Sequence, residues 1–549
     1  MDSLKPMLLT SLKSYDKSQF FKDVTAGIIV AIIALPLSIA LALASGVGPE
    51  AGIFTAIVAG FVISALGGSS VQIAGPTAAF ATIVAGIVAK NGMDGLIIST
   101  ILAGIFLLIM GLCHFGSLIK FIPYTITTGF TSGIAVTIVI GQLKDFFGIT
   151  YQNGETPIET IEKLEAVFKN FSTFNINALI IGIISLAILI ISPYIFKKIP
   201  GSLIAVIAGI VMVKFLPLKA NTIGDLYTIS NSLPAFHLPK VNLEIIEQSA
   251  SDAFTIAILA AIESLLSCVV ADGMINGKHR SDMELVAQGA GNIASALFGG
   301  IPATGAIART AANIKNGGRT PIAGMVHSIT LVIVLVVLMP YAGLIPMPTI
   351  AAILFMVAYN MCQWRTFVDL VKTAPKSDII VLLTTFFLTV LFDLVVAIEI
   401  GMVLACLLFI KRMSEETHVD SWTYVDDDTP DINENLKKLP LQIRVYEITG
   451  PLFFGAADAI EHIVVKDFTK YLVIRMRSVP ALDTTAMNAL KNLAKVCQAK
   501  GIAMVFSHVN EQPMHVMEKA GFVEIIGEEN FRPNISAALE RAEEIITVS

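Results

Sequence analysis

The 549-residue sequence is poor in charge: Asp, Glu, Lys and Arg make up 15% of it, against 55% in the nine apolar types. Soluble domains carry about 25% charged residues, so a water-soluble globule is excluded. Cysteine is sparse too. Cys113, Cys268, Cys362, Cys406 and Cys497 are scattered, odd in number and without CxxC spacing, which excludes a disulfide framework and leaves packed free thiols. Metal-ligand spacing, a Ser/His/Asp arrangement and a P-loop are also missing, so no metal, no cofactor, no enzyme and no ATP-driven pump is expected. Nor is there a basic excess: the formal net charge is −6, which argues against nucleic acid as a partner.

The charge that is present lies unevenly. From Ser414 onward 34 of 136 residues are charged, whereas the first 413 residues hold only 46. The first density is that of a soluble domain and the second that of a membrane protein. We therefore expect a membrane domain over 1–413, an acidic linker over 414–436 that includes Asp426, Asp427 and Asp428, and a soluble domain over 437–549. The first apolar run is too long for a cleavable signal peptide, so the N-terminus is expected to stay in the mature chain.

Apolar runs of about 17–25 residues signal membrane helices. They occur near 24–46, 51–68, 76–90, 95–115, 122–143, 174–196, 199–217, 250–271, 285–299, 304–315, 320–340, 345–361, 376–394 and 395–411. This predicts an α-helical membrane protein of 14 spans, a 7+7 inverted repeat over about 20–217 and 245–412. With both termini inside, every cytoplasmic connection carries Lys or Arg: Lys197 and Lys198, Lys278 and Arg280, Lys315 and Arg319, Arg365, Lys372 and Lys376, Lys411 and Arg412. The loop after the fifth span is acidic instead, with Glu155, Glu159, Glu162 and Glu165. The positive-inside bias thus places both termini and the soluble tail in the cytoplasm.

The third span of each set is short and opens with a Gly/Pro interruption, at Val71–Ala79 around Gly75-Pro76 and at Gly299–Ala306 around Pro302. Proline suits a helix's first turn and not its middle, so each stretch reads as an extended segment followed by a half-helix that starts inside the membrane. Such backbone survives only where protein or a water-filled cavity satisfies it, and paired broken helices mark a transporter's binding site.

Each helix N-terminus presents unpaired N–H groups and about half a positive charge, so two that converge form an anion site. Arg309, one turn into the second half-helix, adds a full charge. The tip residues Ala78, Gly305, Ala306 and Ala308 offer backbone to a small oxyanion. Thr77 and Thr304 either lend hydroxyls to it or cap their helices. Glu263 stands within an otherwise apolar span, where a carboxylate is a functional candidate. Two dipoles and Arg309 give about +2, which an ionised Glu263 lowers to about +1. Protonating Glu263 therefore favours the anion, and the anion favours the proton, which predicts proton–anion symport. A sodium ion on the same carboxylate, and a structural pairing of Glu263 with Arg309, are the alternatives. His114 with Lys120, Lys144 with Asp145, and Asp252, Asp393 and Glu399 lie near span ends, where interfacial solvation explains them.

These residues also carry a resemblance. Leu35–Ala42, Ser45–Phe54 and Gly75-Pro76-Thr77, with Asn292–Gly300, Ala308–Asn313 and Gly317–Pro321, resemble the two signatures of the SulP family of sulfate permeases and related anion transporters. The resemblance implies core and gate domains, a homodimer, elevator-type alternating access and a substrate between the third and tenth spans. By position it puts Thr77, Ala306, Ala308 and Arg309 on the anion site, Leu37 and Leu41 on its lining, and Glu263 on the coupling position for a proton or sodium. At Leu37 and Leu41 the chain departs from the polar and aromatic residues of prestin-like animal members, and Ala306 and Ala308 replace their serines, which speaks against halide selectivity of that type. The pattern is similar to bacterial members, which carry sulfate, bicarbonate or dicarboxylates.

In the tail, apolar runs at Leu441–Ile448, Tyr471–Met476 and Ile502–Phe506 predict strands, interleaved with helices near 455–466, 484–499, 511–520 and 533–546. This α/β domain resembles a STAS domain, in which Thr484 matches the hydroxyl phosphorylated in anti-sigma-factor antagonists; helix capping by Asp483 and Thr484 is the plainer expectation. The expected function is secondary transport of a small oxyanion across the cytoplasmic membrane, sulfate favoured, with bicarbonate or a dicarboxylate as alternatives. A channel, and a membrane-tethered sensor whose STAS domain binds a cytoplasmic protein partner, are the competing classes.

Overall fold

A computed structural model of the chain describes residues 2–117, 123–152, 157–195, 200–216, 218–230, 232–239, 243–392, 394–421, 440, 442–457, 460, 463 and 468–548. Outside them lie Lys120, Glu155, Lys197, Lys198, Asp393, the Asp426–Asp428 run and most of the helix expected near 455–466. Contacts divide the chain into two units, 1–402 and 403–549.

In the first unit, α1 (Lys17–Ala44) begins seven residues before the expected span because Asp16 caps it, accepting from Gln19 N at 2.7 Å. It stops at Ala44, where Gly46 takes φ +72°. α2 (Pro49–Leu66) starts on proline at its first position. After it come strand β1 (Ala74–Gly75), a 3-10 turn at Ala78–Phe80, and α3 (Ala81–Leu112), which covers both the third and fourth expected spans. The two are still distinct, because Gly92 breaks the helix at φ 65°, ψ −166°. α4 (Tyr124–Phe147), the amphipathic α5 (Thr160–Lys169), α6 (Ile176–Ile195) and α7 (Gly201–Phe215) complete the first half. The acidic loop is thus in part helix α5, with Glu159 and Glu162 forming its capping box.

The second half repeats the order: α8 (Leu243–Ile275), α9 (Ser281–Leu297), β2 (Thr304–Gly305), α10 (Ile307–Lys315), α11 (Ile322–Ala342), α12 (Met347–Cys362), the amphipathic α13 (Trp364–Thr373) in the place that α5 holds in the first half, α14 (Lys376–Leu391) and α15 (Leu394–Glu415), within which the division between the units falls. Among the described residues, eight helical stretches are long and apolar enough to cross a membrane, and α7 is apolar but shorter. Half-helices such as α10 fail such a length criterion by construction, so it does not yield the count of fourteen.

The helices pack in two groups. α1, α2, α3, α8, α9, α10 and α11 contact one another, while α4, α6, α7, α12 and α14 form a second set joined to α1. These groups draw on matching parts of each half. β1 and β2 pair antiparallel, Ala74 with Gly305 and Gly75 with Thr304, the relation that a two-fold axis between inverted halves gives.

The second unit holds a five-stranded sheet ordered β3 (His418–Ser421), β4 (Ile443–Thr449), β5 (Tyr471–Ser478), β6 (Ala503–Ser507) and β7 (Phe531–Arg532). β4 to β7 run parallel and β3 is antiparallel to β4. β3 corrects the expectation of an acidic linker throughout 414–436: four of those residues pair with Tyr446–Thr449. One sheet face packs under α16 (Thr484–Ala499), α17 (Glu511–Lys519) and α18 (Phe522–Ile526), the other under α19 (Ile535–Val548).

Candidate anion site

The two-residue ladder is the centre of the site. Because β1 and β2 run in opposite directions, the 3-10 turn at Ala78 and helix α10 start from opposite ends of the same ladder. Ala306 N donates to Ile73 O at 2.9 Å, which extends the pairing to the last residue before α10. Among the described residues neither start has a side-chain cap; in the first, Phe80 N turns back to Thr77 O at 3.3 Å, and the N–H groups of Ala78 and Ala79 and of the first turn of α10 are left without a capping side chain.

Arg309 bridges the two starts. From α10 its Nη2 reaches Pro76 O at 3.1 Å and Ser38 Oγ on α1 at 3.4 Å, while Nε and Nη1 are buried and have no hydrogen-bond partner among the described residues. It is 1% exposed, the largest side chain buried so deeply among the described residues. Gly75 makes this possible, since a Cβ there would stand 2.3 Å from Arg309 Nη1. Gly305 is equally constrained, with a Cβ falling 2.3 Å from Gln72 Nε2.

Thr77 Oγ1 donates to Glu263 Oε2 at 2.8 Å, which ties the first half-helix to α8; both side chains are partly exposed. Thr304 donates to Ala260 O at 3.0 Å, one turn earlier on α8. Neither threonine caps a helix, and Thr304 is not at a cap position, because β2 delays the start of α10 to Ile307. Among the described residues no ion pair links Glu263 to Arg309. Ala306 is partly exposed and Ala308 exposed, Ala78 is buried, Leu37 is partly buried, and Leu41 packs into the apolar core at 2% exposure, which sets it apart from an open lining. His114 pairs with Asp282 at 2.8 Å, and Lys144 lies over the Tyr151 ring at 4.7 Å.

Several residues of the site escaped the sequence reading. Ser38 holds Arg309, Thr310 Oγ1 accepts from Ile73 N at 3.0 Å, and Asn313 donates to Val71 O at 2.8 Å. At the far end of α10, buried Asp23 accepts from Arg319 N at 2.9 Å and Thr320 Oγ1 at 2.6 Å. Tyr15 donates to the same carboxylate at 3.1 Å. Burial and Asp23 push the Tyr15 hydroxyl up to about 12, so it remains a donor at neutral pH.

Residues 20–385 match the sulfate permease family and residues 437–538 the STAS domain. The chain belongs to the sulfate permease family. It is 39% identical over 94% of its length to a Bacillus subtilis protein named "Putative sulfate transporter YvdB", 97% of which is covered. It is 32% identical to the bicarbonate transporter BicA of Picosynechococcus, over 86% of this chain and 85% of that one. The fold superposes on murine Slc26a9, an anion transporter, with TM-score 0.88 at 18% identity over 98% of this chain and 94% of the other. Members of this family are multi-pass membrane anion transporters and not enzymes.

In the STAS domain, Asp483 is the cap of α16, accepting from Ala486 N at 2.9 Å and from Phe454 N at 2.8 Å. Thr484 is the first helical residue and is exposed, so the capping role expected of the pair belongs to Asp483 alone.

Proposed function

We propose that this permease is a secondary active transporter of a small oxyanion, sulfate by preference, coupled to protons. The observation that carries the reading is the pair of uncapped helix starts on one ladder, bridged by a buried Arg309 with Nε and Nη1 to spare. Backbone donors and a guanidinium match a tetrahedral dianion better than a spherical halide, because planar forks and N–H rows address oxygen atoms directly. Thr77, Ala78, Gly305, Ala306, Ala308 and Arg309 hold the anion, Leu37 borders it, and Glu263 carries the coupling proton. The name of the relative at 39% identity supports sulfate.

Fourteen spans in core and gate groups, moving as an elevator within a homodimer of the bacterial inner membrane, with both termini cytoplasmic, fit this role. A bicarbonate carrier coupled to sodium at Glu263 is the second reading, favoured by the BicA relative. Protonation of Glu263 removes a negative charge beside the anion, so uptake rises as the outside pH falls. Uptake of labelled sulfate, bicarbonate and dicarboxylates into proteoliposomes, at varied pH with and without sodium, tests both readings. Glu263→Gln is expected to keep anion binding and flatten the pH dependence; a pH profile unchanged by Glu263→Gln removes the proton role.

A further inference from the structure

Both interrupted segments run through the membrane domain without helical hydrogen bonds, so their backbone groups need partners from elsewhere. Helix α9 supplies several of them from one face. Glu284, Gln288, Asn292 and Ser295 follow at helical spacing and are fully buried. Glu284 serves the approach to β1: its oxygens accept from Gly68 N at 2.9 Å, Ser69 N at 3.3 Å and Gln72 Nε2 at 2.6 Å, with Gln288 Nε2 at 2.8 Å as the fourth donor. Asn292 serves the approach to β2. Its Oδ1 accepts from Ala303 N at 2.8 Å and its Nδ2 donates to Ala303 O at 2.9 Å. That exchange is what a neighbouring strand gives, and a carboxamide is the side chain that carries donor and acceptor side by side as a peptide does. Ser295 adds a bond to Ile301 O at 2.8 Å.

We infer that Asn292 is a positioning residue for the transported anion: by acting as a one-residue third strand beside β2 it fixes where the α10 N-terminus stands relative to that of the first half-helix. Glu284 and Asn292 are two turns apart, about 12 Å along one rigid helix, so α9 spaces the approaches to both strands. The backbone N–H groups of the site have no side-chain rotamers to adjust, so their share of the affinity follows the backbone placement within about 0.5 Å. Asn292 thus acts on anion affinity without touching the anion, and the inference rests on the anion site proposed above.

The test is sulfate uptake by the full chain in proteoliposomes, measured against sulfate concentration and pH. Asn292→Ala leaves the Ala303 N–H and C=O without their partner and is expected to raise KM about tenfold, with the pH profile unchanged because Glu263 is untouched. Ser295→Ala, which removes one bond, is expected to raise KM about threefold. A lower maximal rate at unchanged KM marks a purely structural role and overturns the inference, as does unchanged kinetics. If Asn292→Ala is not recovered in membranes, Ser295→Ala decides in the same terms. Wild-type protein that carries none of the oxyanions defeats the reading of the site and this inference with it, whereas wild-type uptake with an unmoved KM in the variants defeats the inference alone.

Discussion

At the scale of single residues, the site depends on what is small as much as on what is charged. Arg309 lies across Gly75, and any side chain there collides with Nη1 at 2.3 Å. Gly75→Ala is therefore expected to displace the guanidinium from Pro76 O and lower sulfate uptake at least tenfold, although the glycine touches no anion; uptake close to wild type would show that Arg309 has room to move. Arg309→Lys keeps the charge and loses the planar guanidinium, whose Nη2 reaches both Pro76 and Ser38, so uptake is expected to fall by a comparable factor with KM raised. Both variants call for membrane recovery as a control. Arg309, Glu263 and the paired interruptions were legible in the sequence, because a charge or a Gly-Pro pair inside an apolar run has few bland explanations. Ser38, Thr310 and Asn313 were not. A hydroxyl or amide in such a helix carries no directional signal, and its partner here is backbone 237 or 242 residues away, or the arginine itself at 271.

At the scale of elements, hydropathy placed the helices well and their ends less well. Caps and turns set those ends: Asp16 extends α1 toward the N-terminus, and β2 postpones α10 from 304 to Ile307. The third and fourth spans are joined through Gly92, whose φ of 65° with ψ of −166° only glycine adopts readily. Nothing lies within 4 Å of a Cβ built at Gly92, so the effect of Gly92→Ala is conformational and not steric. That variant is expected to destabilise the folded protein by about 1–3 kcal/mol, read as a lower unfolding midpoint in detergent. A neutral or stabilising result would mean that α3 can straighten through residue 92. The two-residue ladder was not legible as such. Pairing of Ala74 with Gly305 joins segments 231 positions apart, and no local period announces it.

At the scale of the whole molecule, the chain is two units whose boundary composition located only approximately. The charge step at Ser414 follows solvent exposure, but membership of a sheet follows hydrogen bonding, and strand β3 lies beyond that step within the stretch expected as linker. β3 covers the edge of β4 through His418–Thr449, Val419–Ile448, Asp420–Glu447 and Ser421–Tyr446, and Val419 packs against the domain core. Without it, β4 presents an unpaired, largely apolar edge, the usual template for strand addition by another chain. A soluble fragment spanning 416–549 is therefore expected to be monomeric and to unfold about 5 °C or more above one spanning 437–549, which retains the matched STAS region but lacks β3. Size-exclusion chromatography should place the shorter fragment in dimers or larger species at concentrations where the longer one is monomeric. Equal midpoints and equal elution would mean that β3 contributes nothing to the domain, and that the end of the membrane unit is followed by a linker in the energetic sense after all.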